Sequence, residues 1–264
     1  MIYETIEYVE EDRLAHIVLN RPSALNALNH QMRMELKHAL KEAADHSAIR
    51  VVMLSSAGRA FSVGQDLKEL DENYAEHRVS LGELVRSEYV PLVQALQTMP
   101  KPTIALLQGT AVGGGMSLAL ACDFRVLSVD AQLIAGFVKV GLVPDTGTSY
   151  LLPRMIGDAQ ALRIFLTGSA IQAQEAVQLG LAEMVHPSAE AAETRARELA
   201  YELAEGPTLA YAEIRQLVQD GHGLSLDLAL SKEIAAQERL SHTQDHRDAV
   251  SSFLGKKIPR FKGQ

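Results

Sequence analysis

Asp145 is the only carboxylate between Asp130 and Asp158, set among apolar residues and glycines in Gly141-Leu-Val-Pro-Asp145-Thr-Gly147-Thr-Ser-Tyr-Leu-Leu-Pro153-Arg154. Burial there would raise its pKa and make it a better general base near neutral pH. The position also suits a helix N-cap, the ordinary role of an Asp after Pro at a helix start. Both readings stay open on the residues alone.

Two glycine-bearing segments suggest a second kind of chemistry. They are Arg59-Ala-Phe-Ser-Val-Gly-Gln-Asp66-Leu67 and Gln108-Gly-Thr-Ala-Val-Gly-Gly-Gly115-Met-Ser-Leu, each after a strand-like run. Glycine allows tight turns and close backbone approach. A helix beginning near Gly115 would aim free N–H groups and its positive dipole end outward. Two such turns side by side could offer converging N–H donors to a developing oxyanion. Glycine-rich strand-to-helix turns are also common as plain connectors. No Gly-Lys-Ser/Thr follows Gly113-Gly114-Gly115, and its spacing is not that of a dinucleotide fingerprint. No Gly-x-Ser-x-Gly elbow occurs, which disfavours a serine hydrolase.

Other groups offer less. His242 and His246 would share a helix face, but no third ligand accompanies them, so the pair reads as a solvated face and no metal site is expected. Cys122 lies in the apolar run Leu118-Ala-Leu-Ala-Cys122 and reads as a small core residue. As the only cysteine it excludes an intrachain disulfide and points to a reduced, cytoplasmic setting. The start Met-Ile-Tyr-Glu-Thr-Ile-Glu is neither basic nor a long apolar run, so no leader is expected. No segment approaches the ~20 apolar residues of a membrane span.

A formal net charge of −8 opposes binding to nucleic acid or anionic membrane. An anionic ligand would need a local basic or backbone site. Lys256, Lys257, Arg260 and Lys262 form the one clear basic cluster, by itself a solvated end.

The elements that must position these residues follow from pattern. Ile2–Val9 and Leu14–Leu19 read as a hairpin around Glu10-Glu11-Asp12. Met32, Leu36, Ala39, Leu40 and Ala43 fall at helical spacing between Asn29 and Ala44. Val51–Leu54, Thr103–Leu107 and Asp123–Val129 read as strands, and Met116–Cys122 starts a helix. Residues 68–86 read as a charged, irregular surface stretch with helical parts, leading into a helix over Val90–Leu96. Short helices are expected around Asp158–Leu166 and Gln172–Leu179. Residues 189–254 are helix-rich, with breaks at Gly206-Pro207 and Gly221–Gly223. The pattern is an α/β core over 1–190 followed by a helical region over 191–264. No fixed-period repeat is visible. Without Trp and with few aromatics, Ala, Val and Leu must carry the packing.

The three segments, in this order and spacing, resemble the crotonase (enoyl-CoA hydratase/isomerase) superfamily. Leu19-Asn-Arg-Pro-Ser-Ala-Leu-Asn-Ala-Leu28 and Val250-Ser-Ser-Phe-Leu-Gly-Lys-Lys-Ile-Pro-Arg-Phe261 extend the likeness over nearly the whole chain. The resemblance implies a spiral of ββα units with a C-terminal helical region that forms trimers or dimers of trimers. It implies an acyl-CoA thioester as ligand, with coenzyme A as part of the substrate and no tightly bound cofactor. Its two oxyanion-holding N–H groups map onto Val63 and Gly114. Val63, Gly64, Gln65, Asp66 and Leu67 match the stretch lining the adenine and pantetheine path. Phe137 falls at the acyl site, and Phe253 and Lys256 resemble tail residues that approach the nucleotide, often from a neighbouring subunit.

Hydratases of this family use two glutamates to deliver water, and their positions fall on Ser117 and Phe137 here. That departure, with Asp145 where isomerase members carry their acid, makes a proton-shuttling isomerase the favoured reading. The wording around Asp145 is similar to the branch that isomerises ring-epoxidised phenylacetyl-CoA, whose relatives shift double bonds between the 3 and 2 positions of enoyl-CoA. A wall of Phe137, Val138 and Leu142 would exclude water. The alternatives are an enoyl-CoA hydratase using other residues, an aromatic acyl-CoA dehalogenase with Asp145 as nucleophile, and a non-catalytic member that binds acyl-CoA or RNA.

Overall fold

The computed structural model describes residues 2–76 and 79–264. Residues 77 and 78, inside the charged 68–86 stretch, lie outside that description.

β1 (Ile6–Glu11) and β2 (Leu14–Leu19) form the expected hairpin. Its turn residues Asp12 and Arg13 both have positive φ, as a two-residue turn matching strand twist requires. α1 (His30–Asp45) follows, its first turn closed by the Asn29 side chain accepting from Met32 N–H. Then come β3 (Val51–Ser56), β4 (Ala60–Ser62), α2 (Leu67–Ala75), α3 (Leu81–Leu84), a π-helical turn over Val85–Tyr89, and α4 (Val90–Gln97). β5 (Thr103–Leu107), β6 (Thr110–Val112), α5 (Gly114–Ala121), β7 (Phe124–Ser128) and β8 (Gln132–Ile134) complete the central turns. α6 (Thr148–Ile156), α7 (Asp158–Thr167), β9 (Ala170–Gln172), α8 (Ala173–Gln178) and β10 (Val185–His186) precede the long helices. These are α9 (Ala189–Ala204), α10 (Thr208–Gly221), α11 (Leu226–Ser241) and α12 (Gln244–Leu254). No helix among the described residues is long and apolar enough to cross a membrane.

The strands form two sheets, ordered β1-β2-β3-β5-β7-β10 and β4-β6-β8-β9. Each central unit gives one strand to each sheet: β3 and β4, then β5 and β6, then β7 and β8. The parallel pairings β3·β5·β7 and β4·β6·β8 stack these units into the expected ββα spiral. The units differ in length, because one return passes through residues 57–102 and the next only through 108–123. That inequality hides the repeat in the sequence.

Aliphatic side chains carry both cores. The larger surrounds Leu28, Met32, Leu36, Phe61, Met116 and Leu120. The smaller sets Leu14, Val51, Met53, Ile104, Leu106 and Val126 against an alanine stripe on α9, Ala192, Ala196, Ala200 and Ala204. The division drawn at 190 therefore falls inside a helix that belongs to the core by packing. The helical parts expected within 68–86 are α2, which starts one residue earlier at Leu67, and α3, capped by Asp66 and Ser80. α6 begins after Gly147, two residues beyond Asp145.

Candidate active site

The loop over residues 20–28 splints the turn after β4. Asn26 donates from Nδ2 to the Ala57 and Ala60 carbonyls, each at 2.8 Å. Ser62 Oγ donates to Asn26 O at 2.7 Å, and Val63 N–H donates to Leu25 O at 3.2 Å. Leu28 N–H then reaches Gly64 O at 2.7 Å, and Asp66 N–H reaches Leu28 O at 3.3 Å. These two bonds form an isolated parallel bridge between Leu28 and Gln65. In such a bridge the Gln65 N–H points away from Leu28. It has no partner among the described residues.

The turn before α5 lies directly against this one. A Cβ added to Gly64 would sit 2.8 Å from Val112 O and 3.4 Å from Gly114 N. Gly64 and Gly113 both have positive φ, at 82° and 51°. The Gly113 N–H goes to Ile134 O and the Ser117 N–H to Gly113 O. Gly114, the first residue of α5, has no preceding-turn carbonyl to bond, so its N–H stays open. Among the described residues these two facing turns thus leave the Gln65 and Gly114 N–H groups unpaired, both on residues that line the cavity beside them. The sequence mapping to Val63 is corrected: its N–H is committed to Leu25 O.

Both turns border a cavity of about 370 Å³ lined by Val63, Gly64, Gln65, Leu67, Gly114, Phe137 and Asp145, among others. Asp145 is the one carboxylate in that lining. It is half-buried, and its hydrogen bond is from the Thr146 hydroxyl to Oδ1, at 2.7 Å. Burial pushes its pKa above the usual carboxylate value, against a smaller downward pull from that hydroxyl. The side chain does not cap α6, whose cap residue is Gly147. The capping reading fails, and Asp145 is instead one of the residues lining the cavity.

Asp66 differs from its neighbours. It is absent from the lining, caps α2 through Lys68 and Glu69 N–H, and pairs with Arg21 at 3.1 Å. Although burial pushes its carboxyl up, the Arg21 and amide contacts outweigh burial and hold it below the usual range. Ser117 is fully buried, donates to Gly113 O at 3.0 Å and bonds Thr148 Oγ1, so it is not in the lining. Val138 is also outside the lining, which instead includes Val140 and Leu142. Phe253, in the last turn of α12, and Lys256, just beyond it, are exposed and are not among the residues lining this chain's own cavity. His242 pairs with Glu238 at 3.0 Å. Among the described residues no group of three or more His, Cys, Asp or Glu converges on a metal position.

The sequence reading missed the outer wall, formed by Leu70 and Tyr74 of α2, Leu81 of α3, and Val85 and Tyr89 of the π-helical turn. The signal was present: 67, 70, 74 and 81, 85, 89 are helical spacings of apolar residues. It also missed the clamp behind the site. The Tyr89 hydroxyl donates to Gln65 Oε1 at 2.7 Å, and Arg33 Nη1 approaches the same oxygen at 3.3 Å. The fully buried Arg33 also bonds Glu88 at 2.7 Å and Glu69 at 2.6 Å, with its guanidinium 5.2 Å from the centre of the Tyr89 ring.

The enoyl-CoA hydratase/isomerase family model matches residues 10–264. A probable enoyl-CoA hydratase of Rhodobacter capsulatus is 37% identical over 264 residues, covering all of both chains. The 1,2-epoxyphenylacetyl-CoA isomerase of Escherichia coli is 36% identical over 248 residues, 94% of each chain. The crystal structure of an enoyl-CoA hydratase from Bacillus anthracis superposes with a TM-score of 0.90 at 31% identity, covering 99% of this chain and 100% of that one.

Proposed function

The chain belongs to the enoyl-CoA hydratase/isomerase family, and from that premise we propose that it is an acyl-CoA isomerase in which Asp145 shuttles the proton. The carrying observation is that Asp145 is the one carboxylate lining the cavity whose lining also holds Gln65 and Gly114, with their unpaired N–H groups. In the proposed reaction the thioester oxygen lies between the Gln65 and Gly114 N–H groups. Asp145 takes a proton from the carbon next to the carbonyl, and the resulting enolate charge is held by those donors. Returning the proton two carbons further along moves a 3-ene to a 2-ene. With a ring-epoxide substrate, the same deprotonation forms a double bond from the α carbon to the ring as the strained C–O bond breaks, and Asp145 returns its proton to the released oxygen.

Burial favours this role by raising the Asp145 pKa toward the operating range of a general base. The apolar wall suits a carbon-rich acyl group and keeps water from the enolate. Ser117 and Phe137, where a hydratase would need carboxylates, are a hydroxyl turned onto Thr148 and an apolar ring. Proton transfer within one thioester needs no metal or redox group, so coenzyme A enters only as part of the substrate. A cytoplasmic location goes with the single buried thiol of Cys122. The exposed apolar side chains of α11 and α12 suit a homotrimer or a dimer of trimers.

The test compares wild type with Asp145→Asn on 3-enoyl-CoA and 2-enoyl-CoA, resolving isomerised from hydrated product. Wild type is expected to migrate the double bond, and Asp145→Asn to lose about 10²-fold or more in kcat. Hydration that dominates in wild type and survives in Asp145→Asn overturns the isomerase in favour of a hydratase.

A further inference from the structure

Thr146 stands out beside the proposed base. It is a β-branched, buried residue at φ 51°, in the left-handed region that such side chains rarely adopt. Gly147 follows at φ 80°, so the chain reverses over two left-handed residues between Pro144 and α6. A turn wanting that conformation would be met more easily by Gly or Asn at both positions. Retained strain of this kind clusters where geometry matters for function. What the threonine adds is its hydroxyl, 2.7 Å from Asp145 Oδ1. No hydrogen bond to Oδ2 is present among the described residues. Asp145 O is in turn fixed by Thr148 N–H at 2.9 Å, so backbone and side chain of Asp145 are held from the same turn.

We propose that Thr146 is the positioning residue of the site: its left-handed backbone turns the Asp145 carboxyl into the cavity, and its hydroxyl tethers Oδ1 so that Oδ2 carries the proton in both transfers. This rests on the isomerase reading and adds which carboxylate oxygen works and what aims it. A base that collects a proton at one carbon and delivers it at another gains from a fixed pivot. A carboxyl free to rotate would present either oxygen and lose alignment between the two steps. The hydroxyl also counters burial: donated to the carboxylate, it favours the charged form that must accept the proton. Few other titratable groups face Asp145. The Tyr89 phenol, from the π-helical turn, feels its charge, with Arg33 behind it.

The experiment measures kcat, KM and the pH dependence of kcat/KM for isomerisation of 3-enoyl-CoA by wild type, Thr146→Val and Thr146→Ser. Val keeps the shape and removes the hydroxyl, while Ser keeps the hydroxyl. Thr146→Val is expected to lose roughly tenfold in kcat, the scale of one hydrogen bond to a charged group, with little change in KM. Its acidic limb is expected to move to higher pH, because the carboxylate has lost a donor. Thr146→Ser is expected to recover most of the lost kcat and bring the limb back. A Thr146→Val profile matching wild type, or equal losses in Val and Ser with unmoved limbs, overturns the proposal and leaves a structural turn residue. If wild type isomerises and Asp145→Asn is inactive, that failure concerns Thr146 alone. If Asp145→Asn remains active, the parent reading falls and this one with it.

Discussion

Gly64 joins the two turns that carry the open N–H donors. Its φ of 82° suits glycine, and a Cβ there would meet the Val112 carbonyl oxygen at 2.8 Å. That neighbour is backbone in a strand pairing, so relief requires the turns to separate. Gly64→Ala is therefore expected to cost about 2 kcal/mol or more, combining left-handed strain with a steric contact. It is also expected to lower kcat by displacing the adjacent Gln65 N–H from the oxyanion position. Denaturant unfolding with steady-state kinetics checks both; an Ala variant as stable and active as wild type removes this turn from the site. At this scale the sequence is informative about residue type and weak about direction. Asp145 in an apolar setting was readable, but an unplaced Asp after Pro equally suits a helix cap. Only the position of Gly147 at the start of α6 separates those readings. Likewise, a backbone N–H carries no signature in its side chain. Whether Val63 or Gln65 offers the free donor depends on the bridge to Leu28, which spacing does not reveal.

Among the elements, α1, α2, the π-helical turn and the turn after β4 meet at Arg33. Its guanidinium bonds Glu69 of α2, Glu88 of the π-helical turn, Gln65 Oε1 and the Leu28 carbonyl. Two of these elements carry the outer cavity wall, so the buried charge fixes the wall against the donor turn. Arg33→Met removes one member of a buried ionic cluster and leaves the Glu88 carboxylate, only 14% exposed, with the exposed His30 as its remaining partner. About 3 kcal/mol of stability is expected to go, with KM rising more than kcat falls because the wall loosens while Asp145 keeps its own turn. Urea unfolding and kinetics on the same preparation decide this; unchanged KM would separate the clamp from acyl binding. α1 was legible from its helical spacing, and the continuously buried strands β3 and β5 from their unbroken apolar runs. The three-residue strands β4, β6 and β8 were not, because so short a run carries no period of its own. α2 and α3 were obscured because their apolar stripes face a cavity while charges fill the remaining positions.

For the molecule as a whole, the C-terminal helices have more apolar surface than this chain covers. α11 buries Ala236 alone, yet exposes Leu226, Leu228, Leu230 and Ile234, the last at 71%. The tail beyond α12 is not loose. Arg50 bonds the Phe261 carbonyl at 2.8 Å, and Asp245 accepts from Lys262 and Gly263 N–H at 2.7 Å each. Phe253, 83% exposed, and Lys256 lie on this anchored tail, exposed and outside the lining of this chain's own cavity. Self-association would cover the apolar face of α11 and bring such a tail toward a neighbouring cavity. The two effects share one cause and should fail together. If the chain assembles as the proposed trimer or dimer of trimers, Ile234→Glu, which sets a charge on that face, is expected to reduce the sedimenting mass to that of one chain. It is also expected to raise KM for acyl-CoA several-fold while the isolated chain stays folded, since Ile234 contributes little to its core. If the mass falls and KM holds, the tail does not serve a neighbour. If the mass is unchanged, α11 is not the contact surface and the face it exposes belongs to some other partner.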